Sequence, residues 1–343
     1  MKVDLMCMRP DLGGIGALAQ QAEAMGYTAL LAAETGHEPF MPLAVAAEHT
    51  EHLGLGTCVA VALSRSPLHL AHAGHDLQRF SKGRFILGVG SQVRGHIEKR
   101  FSAPFTHPTE RMKDAIGAVR AIWRAWNEGE PLHYEGPYYR HTLMTPFFSP
   151  DPNPYGPPPI YLAASGAEMT AVGGEVADGL MLHALTSAAT LAEITLPALE
   201  RGLEASGRAR ADVELYAPVF VITGSNDEEL QIAERAVRRQ LAFYASTPAY
   251  RKVLAFHGRP DLPARLNALA QAGRWKDMGS LIDDEVLDLF SVAGKPEEIG
   301  PAVLARFGGD LDRVALYAPY THDPEPWSRV LPGFSETASR RGD

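Results

Sequence analysis

The most unusual group of polar residues in this sequence follows two glycines, within residues 87–101. Gly90 has no Cβ, so the backbone there can approach a ligand closely. Ser91 and Gln92 add neutral hydrogen-bonding groups, and His96 adds a group that can carry charge. These residues predict a cradle for a polar ligand, although glycines at this spacing are also typical of a tightly packed strand end. The third glycine is misplaced for a dinucleotide-binding fingerprint.

A second small polar pair, Ser165 and Gly166, stands between an apolar run and a predicted helix. The first N–H groups of a helix lack backbone partners, and the helix dipole is positive there. The pair therefore predicts a site for a phosphate or carboxylate group. A plain helix cap is the alternative for the same two residues.

Glu34 and His37 lie close together after another apolar run. A carboxylate and an imidazole at this spacing can act as acid and base in one reaction. The alternative, that these two residues belong to a surface loop with a capping role, has weight similar to that of the acid–base role.

The histidines and cysteines predict no metal centre and no nucleophile. His69, His72 and His75 share one predicted helix, but that helix lies outside the predicted barrel. Cys58 is expected to be a small buried side chain. The sequence contains no G-x-S-x-G elbow and no Walker loop, which disfavours hydrolase and phosphoryl-transfer chemistry.

Short apolar runs alternate with segments of helical periodicity along most of the chain. The predicted strands are residues 3–8, 28–33, 53–63, 84–90, 160–164, 179–183, 213–223 and 313–318. Parallel strands need crossover connections, which are usually helices. Eight β/α units predict a closed (β/α)8 TIM barrel and disfavour an open doubly wound sheet.

The simplest domain organisation is one domain over residues 1–343 with two insertions at the C-terminal rim of the barrel. The insertions are predicted at about residues 128–159 and 247–289. The active site of such a barrel lies at the C-terminal ends of its strands. All the candidate residues follow predicted strands.

Composition restricts the class of partner. The chain of 343 residues has 32 Lys and Arg against 41 Asp and Glu, a net charge of −9, which disfavours nucleic acids and anionic membranes. Its two cysteines indicate a reducing compartment. No apolar stretch reaches the roughly 18 residues of a membrane helix. These features predict a cytoplasmic enzyme that acts on a small molecule.

The order of the segments resembles the bacterial-luciferase-like superfamily of flavin- and deazaflavin-dependent oxidoreductases. The most specific element is the run S-K-G-R-F-x-L-G-x-G at residues 81–90. The matching stretches are residues 53–71, 76–92, 111–123, 158–166 and 175–182. The overall pattern is most similar to the subgroup that uses coenzyme F420, an 8-hydroxy-5-deazaflavin.

The resemblance implies positions for the cofactor. It implies a cis peptide bond between Cys58 and Val59, behind the cofactor ring. The family's cradle after the fourth strand corresponds to Ser91, Gln92 and the residues that follow. Its phosphate-side turn corresponds to Ser165-Gly166, and the end of its sixth strand to His183.

Two departures from the family pattern concern chemistry. Glu34-Thr35 stands where family members often have an Asp-His pair. Val93 stands where some sugar-phosphate dehydrogenases of the family have a glutamate proton donor, so that substrate class is disfavoured.

The resemblance implies hydride transfer between F420 and a small organic substrate. An FMN-dependent monooxygenase is the alternative, and the two departures keep open a non-catalytic flavin-binding barrel. A barrel hydrolase is a weaker option. Family resemblance also implies a homodimer that buries the predicted helices at residues 43–52 and 67–80.

Overall fold

The computed structural model describes residues 1–320 and 325–334. The strands are β1 (Lys2–Cys7), β2 (Ala29–Ala32), β3 (Gly54–Thr57), β4 (Ala60–Val61), β5 (Phe85–Gly90), β6 (Tyr134–Glu135), β7 (Arg140–His141), β8 (Ile160–Ala163), β9 (Gly179–Met181), β10 (Glu214–Ile222), β11 (Ser291–Ala293) and β12 (Arg313–Tyr317). The α-helices are α1 (Ile15–Met25), α2 (Phe40–Glu48), α3 (Pro67–Phe80), α4 (Arg94–Lys99), α5 (Pro108–Glu128), α6 (Ala167–Val176), α7 (Ala188–Thr190), α8 (Leu196–Ser206), α9 (Asp227–Ala245), α10 (Arg251–Phe256), α11 (Leu262–Gln271), α12 (Asp284–Phe290), α13 (Pro296–Phe307) and α14 (Glu325–Val330).

The main sheet is parallel and closed. Its strand order is β11-β10-β12-β1-β2-β3-β5-β8-β9, and β9 also pairs with β10. Successive neighbours pair in parallel along the series β1, β2, β3, β5, β8 and β9. The strands β10 and β12 also pair in parallel. The prediction of a (β/α)8 barrel is confirmed.

The chain divides into two compact units. One contains residues 4–181 and 198–214, and the other contains residues 1–3, 182–197 and 215–343. One domain over residues 1–343 stays a prediction, and residues 321–324 and 335–343 lie outside the described residues. No helix in the described part of the chain is long and apolar enough to cross a membrane.

The unit of residues 4–181 and 198–214 has an aliphatic and aromatic core on and around the strands. Leu30, Leu55 and Phe85 are almost completely buried on three neighbouring strands. The strands read as continuous apolar runs because helices cover a parallel sheet.

The third predicted strand, residues 53–63, is interrupted in the structure. β3 ends at Thr57, the Cys58–Val59 peptide bond is cis, and β4 then pairs with β5. The apolar pattern is similar on both sides of the interruption, so hydrophobicity alone predicted one long strand. The cis bond is at the position that the resemblance implied.

The second helix lies several residues earlier than predicted, at Phe40–Glu48. The Glu38 carboxylate accepts hydrogen bonds from the N–H groups of Phe40 and Met41, both at 3.0 Å, which satisfies two unpaired donors of the first turn. The Glu23 carboxylate accepts the N–H groups of residues 51–53 and so holds the turn that leads into β3.

The first predicted insertion contains the antiparallel hairpin of β6 and β7. Asp114 of α5 is buried beneath it, and its Oδ2 accepts the N–H groups of Tyr138 and Tyr139, both at 2.8 Å. The Tyr134 hydroxyl donates to Asp114 Oδ1 at 2.6 Å. One carboxylate on the barrel helix therefore anchors the hairpin.

In the other unit, helices α9 to α12 occupy the chain between β10 and β11. The strand β11 was not predicted from the sequence, and it pairs in parallel with the end of β10, Phe220 with Ser291. Three residues are too few to produce a distinct periodicity, so the pairing alone identifies this strand.

Candidate functional site

Three strand ends meet at Gly90 in the unit of residues 4–181 and 198–214. A Cβ at Gly90 would lie 2.7 Å from Val59 Cγ2 and 3.2 Å from the Cβ of Ala163. The absence of a side chain thus lets the residue after the cis bond pack directly on the end of β5. Val59, Gly90 and Ala163 at the end of β8 therefore lie close together.

Gly88 and Thr57 hold the same strand ends together. A Cβ at Gly88 would lie 1.9 Å from the Thr57 carbonyl oxygen, which no side chain could tolerate. The buried Thr57 hydroxyl donates to the Gly88 carbonyl oxygen at 2.6 Å. Gly88 and Gly90 therefore have the packing role that is typical of glycines at a tightly packed strand end. Gly90 also borders Val59.

Ser91 and Gln92 follow β5 and are half-buried. The Ser91 hydroxyl donates to the Gln92 carbonyl oxygen at 3.2 Å, and Gln92 Oε1 accepts the Val93 N–H at 2.9 Å. Gln92 has φ +58, a left-handed conformation that turns the chain sharply before α4. His96 lies on α4 and is exposed.

Ser165 and Gly166 are exposed at the start of α6. A Cβ at Gly166 would meet no heavy atom within 4 Å. Gly166 occupies the N-cap position, and because it has no side chain it leaves the first N–H groups of α6 uncapped by a side chain. Glu168 stands in the first turn, and its carboxylate lies 3.6 Å from Arg201. The turn is open enough for an anionic group. The Glu168 carboxylate lies nearby and has the same sign of charge as such a group.

Glu34 and His37 have different environments. The Glu34 side chain is 6% exposed, and its Oε2 accepts the Val61 N–H at 2.7 Å and Arg65 Nη1 at 2.6 Å. His37 is exposed. Glu34 therefore ties the loop after β2 to β4, while the His37 ring is accessible from solvent.

Sequence reasoning missed Arg65. Its Nη1 donates to Glu34 and to the Val61 carbonyl oxygen at 3.0 Å, and its guanidinium carbon lies 5.7 Å from the Phe40 ring centre. A charged residue between two serines, two positions before the Pro at the start of α3, is the signal that marks it.

His183 lies in the other unit, two residues after the end of β9, and its neighbours include two tyrosines. Its ring stacks on Tyr250 with centres 4.0 Å apart and meets the edge of Tyr244 at 4.7 Å. Burial lowers the pKa of His183 to about 3, so the ring is neutral at neutral pH. Nδ1 lies 3.2 Å from the Leu185 N–H and accepts it, which places the ring proton on Nε2.

The tyrosines around His183 were not predicted. The hydroxyls of Tyr244 and Tyr317 lie 3.0 Å apart, and Tyr317 stacks on Phe220 with ring centres 4.7 Å apart. Burial raises the pKa of Tyr250 to about 12, so its hydroxyl keeps its proton. The helical part of this unit brings Tyr244 and Tyr250 to the ring, and local patterns in the sequence contain no sign of that.

In the part of the chain that the structure describes, no group of three or more His, Cys, Asp or Glu side chains could hold a metal ion.

A family model described as luciferase-like monooxygenase matches residues 3–310. The chain belongs to this family. The resemblance inferred from the sequence is therefore confirmed.

Relatives within the family include a protein of Mycobacterium tuberculosis (strain H37Rv) named Uncharacterized protein Rv1360. It is 50% identical over 85% of this chain and 86% of its own length. An F420-dependent glucose-6-phosphate dehydrogenase of Intrasporangium calvum is 30% identical over 87% of this chain and 86% of its own length.

The fold is also similar to a solved structure. The coenzyme F420-dependent tetrahydromethanopterin reductase from Methanopyrus kandleri superposes with a TM-score of 0.80 over 97% of each chain, at 21% identity. At this identity the similarity concerns the fold.

Proposed function

We propose that this protein is an F420-dependent oxidoreductase that transfers a hydride between the deazaflavin and a small organic substrate. The observation that carries the proposal is the close approach of Val59 and of Ala163 to Gly90, at the end of β5. The 30% identical F420-dependent glucose-6-phosphate dehydrogenase supports the choice of cofactor.

The residues present fit such a cofactor. Val59 offers an apolar wall for a flat ring, and small residues line the adjacent strand ends. The exposed Ser165-Gly166 turn at the start of α6 suits an anionic tail. Cys58, Ser91, Gln92, His96 and His183 are proposed as further cofactor contacts. A bound deazaflavin supplies two-electron hydride chemistry, which no amino-acid side chain supplies.

The chain's own groups then bind, orient and hold protons. Glu34 fixes β4 through the Val61 N–H and so supports the position of Val59. His183 holds a proton at Nε2 and can donate one hydrogen bond there. His37, whose ring is exposed, is proposed to act with Glu34 in moving the proton that accompanies the hydride.

Cofactor binding tests the proposal directly. Calorimetric titration of the purified protein with F420 and with FMN is expected to show binding of F420. Ser165→Trp places a large ring in the proposed tail site and should abolish that binding, while the fold survives because Ser165 is exposed. Gly90→Val should also abolish binding, because its new side chain collides with Val59.

Gly309→Val is the matched control, because a Cβ at Gly309 meets no heavy atom within 4 Å. It should leave F420 affinity unchanged. Binding of FMN in place of F420 would overturn the proposal in favour of a flavin-dependent monooxygenase. Binding of F420 by a protein that never oxidises or reduces it would indicate a non-catalytic barrel.

A further inference from the structure

A cavity of about 410 Å³ opens beside α9 in the unit that contains residues 215–320. One wall is a single face of α9 that includes Arg239, Gln240 and Phe243, at helical spacing. The other wall comes from the turn that begins at Trp275 and includes Lys276. The volume is within the range of small-molecule sites, about 300–1,000 Å³.

The charge on the cavity walls is positive. Arg239 and Lys276 line it, are exposed, and form no ion pair with any residue in the ranges 1–320 and 325–334. The neighbouring Arg238 instead pairs with Glu234 at 2.7 Å. The carboxylate of Asp277, which follows Lys276, is engaged by Arg274 at 2.8 Å.

Among the side chains that the structure describes, no acidic one lines the cavity, although the chain has a net charge of −9. Two such cations in one concave surface create a local positive potential that attracts an anion.

The cavity also has an aromatic wall. The rings of Phe243 and Trp275 have centres 6.2 Å apart, and the two residues are 47% and 52% exposed. Large exposed aromatic side chains beside a concave surface are typical of ligand sites. Their planes are inclined by 46°, so they form one apolar wall, and a flat group can lie against either ring.

We propose that this cavity binds a small organic anion with a planar apolar body, of the aromatic carboxylate or aromatic phosphate class. Arg239 and Lys276 contact the anionic group, Gln240 adds a neutral hydrogen bond, and the body packs on Phe243 and Trp275. The proposal does not depend on the cofactor, and it describes a ligand site in addition to the strand-end cradle.

The test uses the full chain without F420 or FMN and four probes. Phenyl phosphate and benzoate carry both features, inorganic phosphate carries only the charge, and benzyl alcohol carries only the ring. Calorimetry is expected to show that phenyl phosphate or benzoate binds at least about tenfold more tightly than either single-feature probe. Whichever of phenyl phosphate and benzoate has the higher affinity indicates whether the ligand is a phosphate or a carboxylate.

Tryptophan fluorescence locates the bound probe. Trp123, Trp126 and Trp327 are at most 8% exposed, whereas Trp275 is 52% exposed, so acrylamide quenches mainly Trp275. A bound probe should protect that emission. The protected signal should be absent from Trp275→Phe.

The double variant Arg239→Ala, Lys276→Ala should weaken binding of the favoured probe by about tenfold or more. Arg235→Ala is the matched control, because Arg235 is exposed one turn earlier on α9 and does not line the cavity. The affinity of Arg235→Ala for the favoured probe should equal that of the unchanged chain.

Unchanged affinity in the double variant would overturn the proposal. So would a titration in which neither phenyl phosphate nor benzoate binds more tightly than both inorganic phosphate and benzyl alcohol, or one in which neither binds at millimolar concentration. Ser165→Trp should leave probe binding intact. Failure of F420 binding and failure of this site are therefore distinguishable.

Discussion

At the scale of single residues, Glu34 and His37 are expected to respond differently to substitution. Glu34→Gln removes the charge that Arg65 pairs with inside a mostly buried contact, and we expect it to lower the free energy of unfolding by about 1.5–3 kcal/mol. His37→Ala removes an exposed ring and should change stability by less than about 0.5 kcal/mol. Urea denaturation measures both.

Turnover then separates positioning from proton transfer. A side chain that transfers the proton typically contributes a factor of about 10² to 10⁴, so His37→Ala should lower turnover by that order while F420 affinity is kept. Glu51→Gln, at an 89% exposed carboxylate, is the control for both measurements. If Glu34→Gln and His37→Ala both retain full turnover with bound cofactor, the acid–base role is wrong for both residues.

At the scale of elements, the β6–β7 hairpin depends on one carboxylate of α5. In Asp114→Asn the Tyr134 hydroxyl can accept from the new amide NH₂ and donate to the carbonyl oxygen of residue 114, while the Tyr138 and Tyr139 N–H groups keep only a neutral amide oxygen as acceptor. Hydrogen bonds to a charged group contribute about 1.5–3 kcal/mol and neutral ones about 0.5–1.5 kcal/mol. We therefore expect a loss of stability of about 1–3 kcal/mol and faster amide hydrogen exchange in the hairpin.

Glu128→Gln, at an exposed position at the end of the same helix, is the matched control and should change stability by less than about 0.5 kcal/mol. Equal hydrogen exchange in Asp114→Asn and in the unchanged chain would show that the hairpin is held by other contacts.

At the scale of the whole molecule, we propose a homodimer that buries α2 and α3. Met41 of α2 is 58% exposed and Phe80 of α3 is 52% exposed, so each helix presents an apolar side chain that a second copy could cover. Sedimentation at micromolar concentration is expected to give the mass of a dimer. Met41→Asp should shift it toward the monomer.

Leu12→Asp is the control for the dimer, because Leu12 is 48% exposed and lies outside α2 and α3. It should leave the dimer intact. A monomer mass for the unchanged chain at micromolar concentration would contradict the proposal.

The sequence by itself determined the barrel. Each barrel strand is a short apolar run between helical segments, and this local pattern alone predicts parallel β/α units. Gly90, which ends a strand, was identified as a position where the backbone can approach a ligand closely. In the structure Val59 makes a close approach there that only glycine permits. The family resemblance placed the cis bond at Cys58–Val59.

Only the tertiary structure decided how distant residues act on one another. Glu34 meets Arg65 across 31 residues of chain, and His183 stacks on Tyr250, which lies on a different element. Hydrophobic periodicity indicates which face of an element is buried. It contains no information about which distant side chains that face contacts. Glu34 was therefore predicted either as an acid or base or as part of a capping surface loop. The structure places it in an ion pair with Arg65, because folding brings the loop after β2 to β4 and to the turn that follows β4.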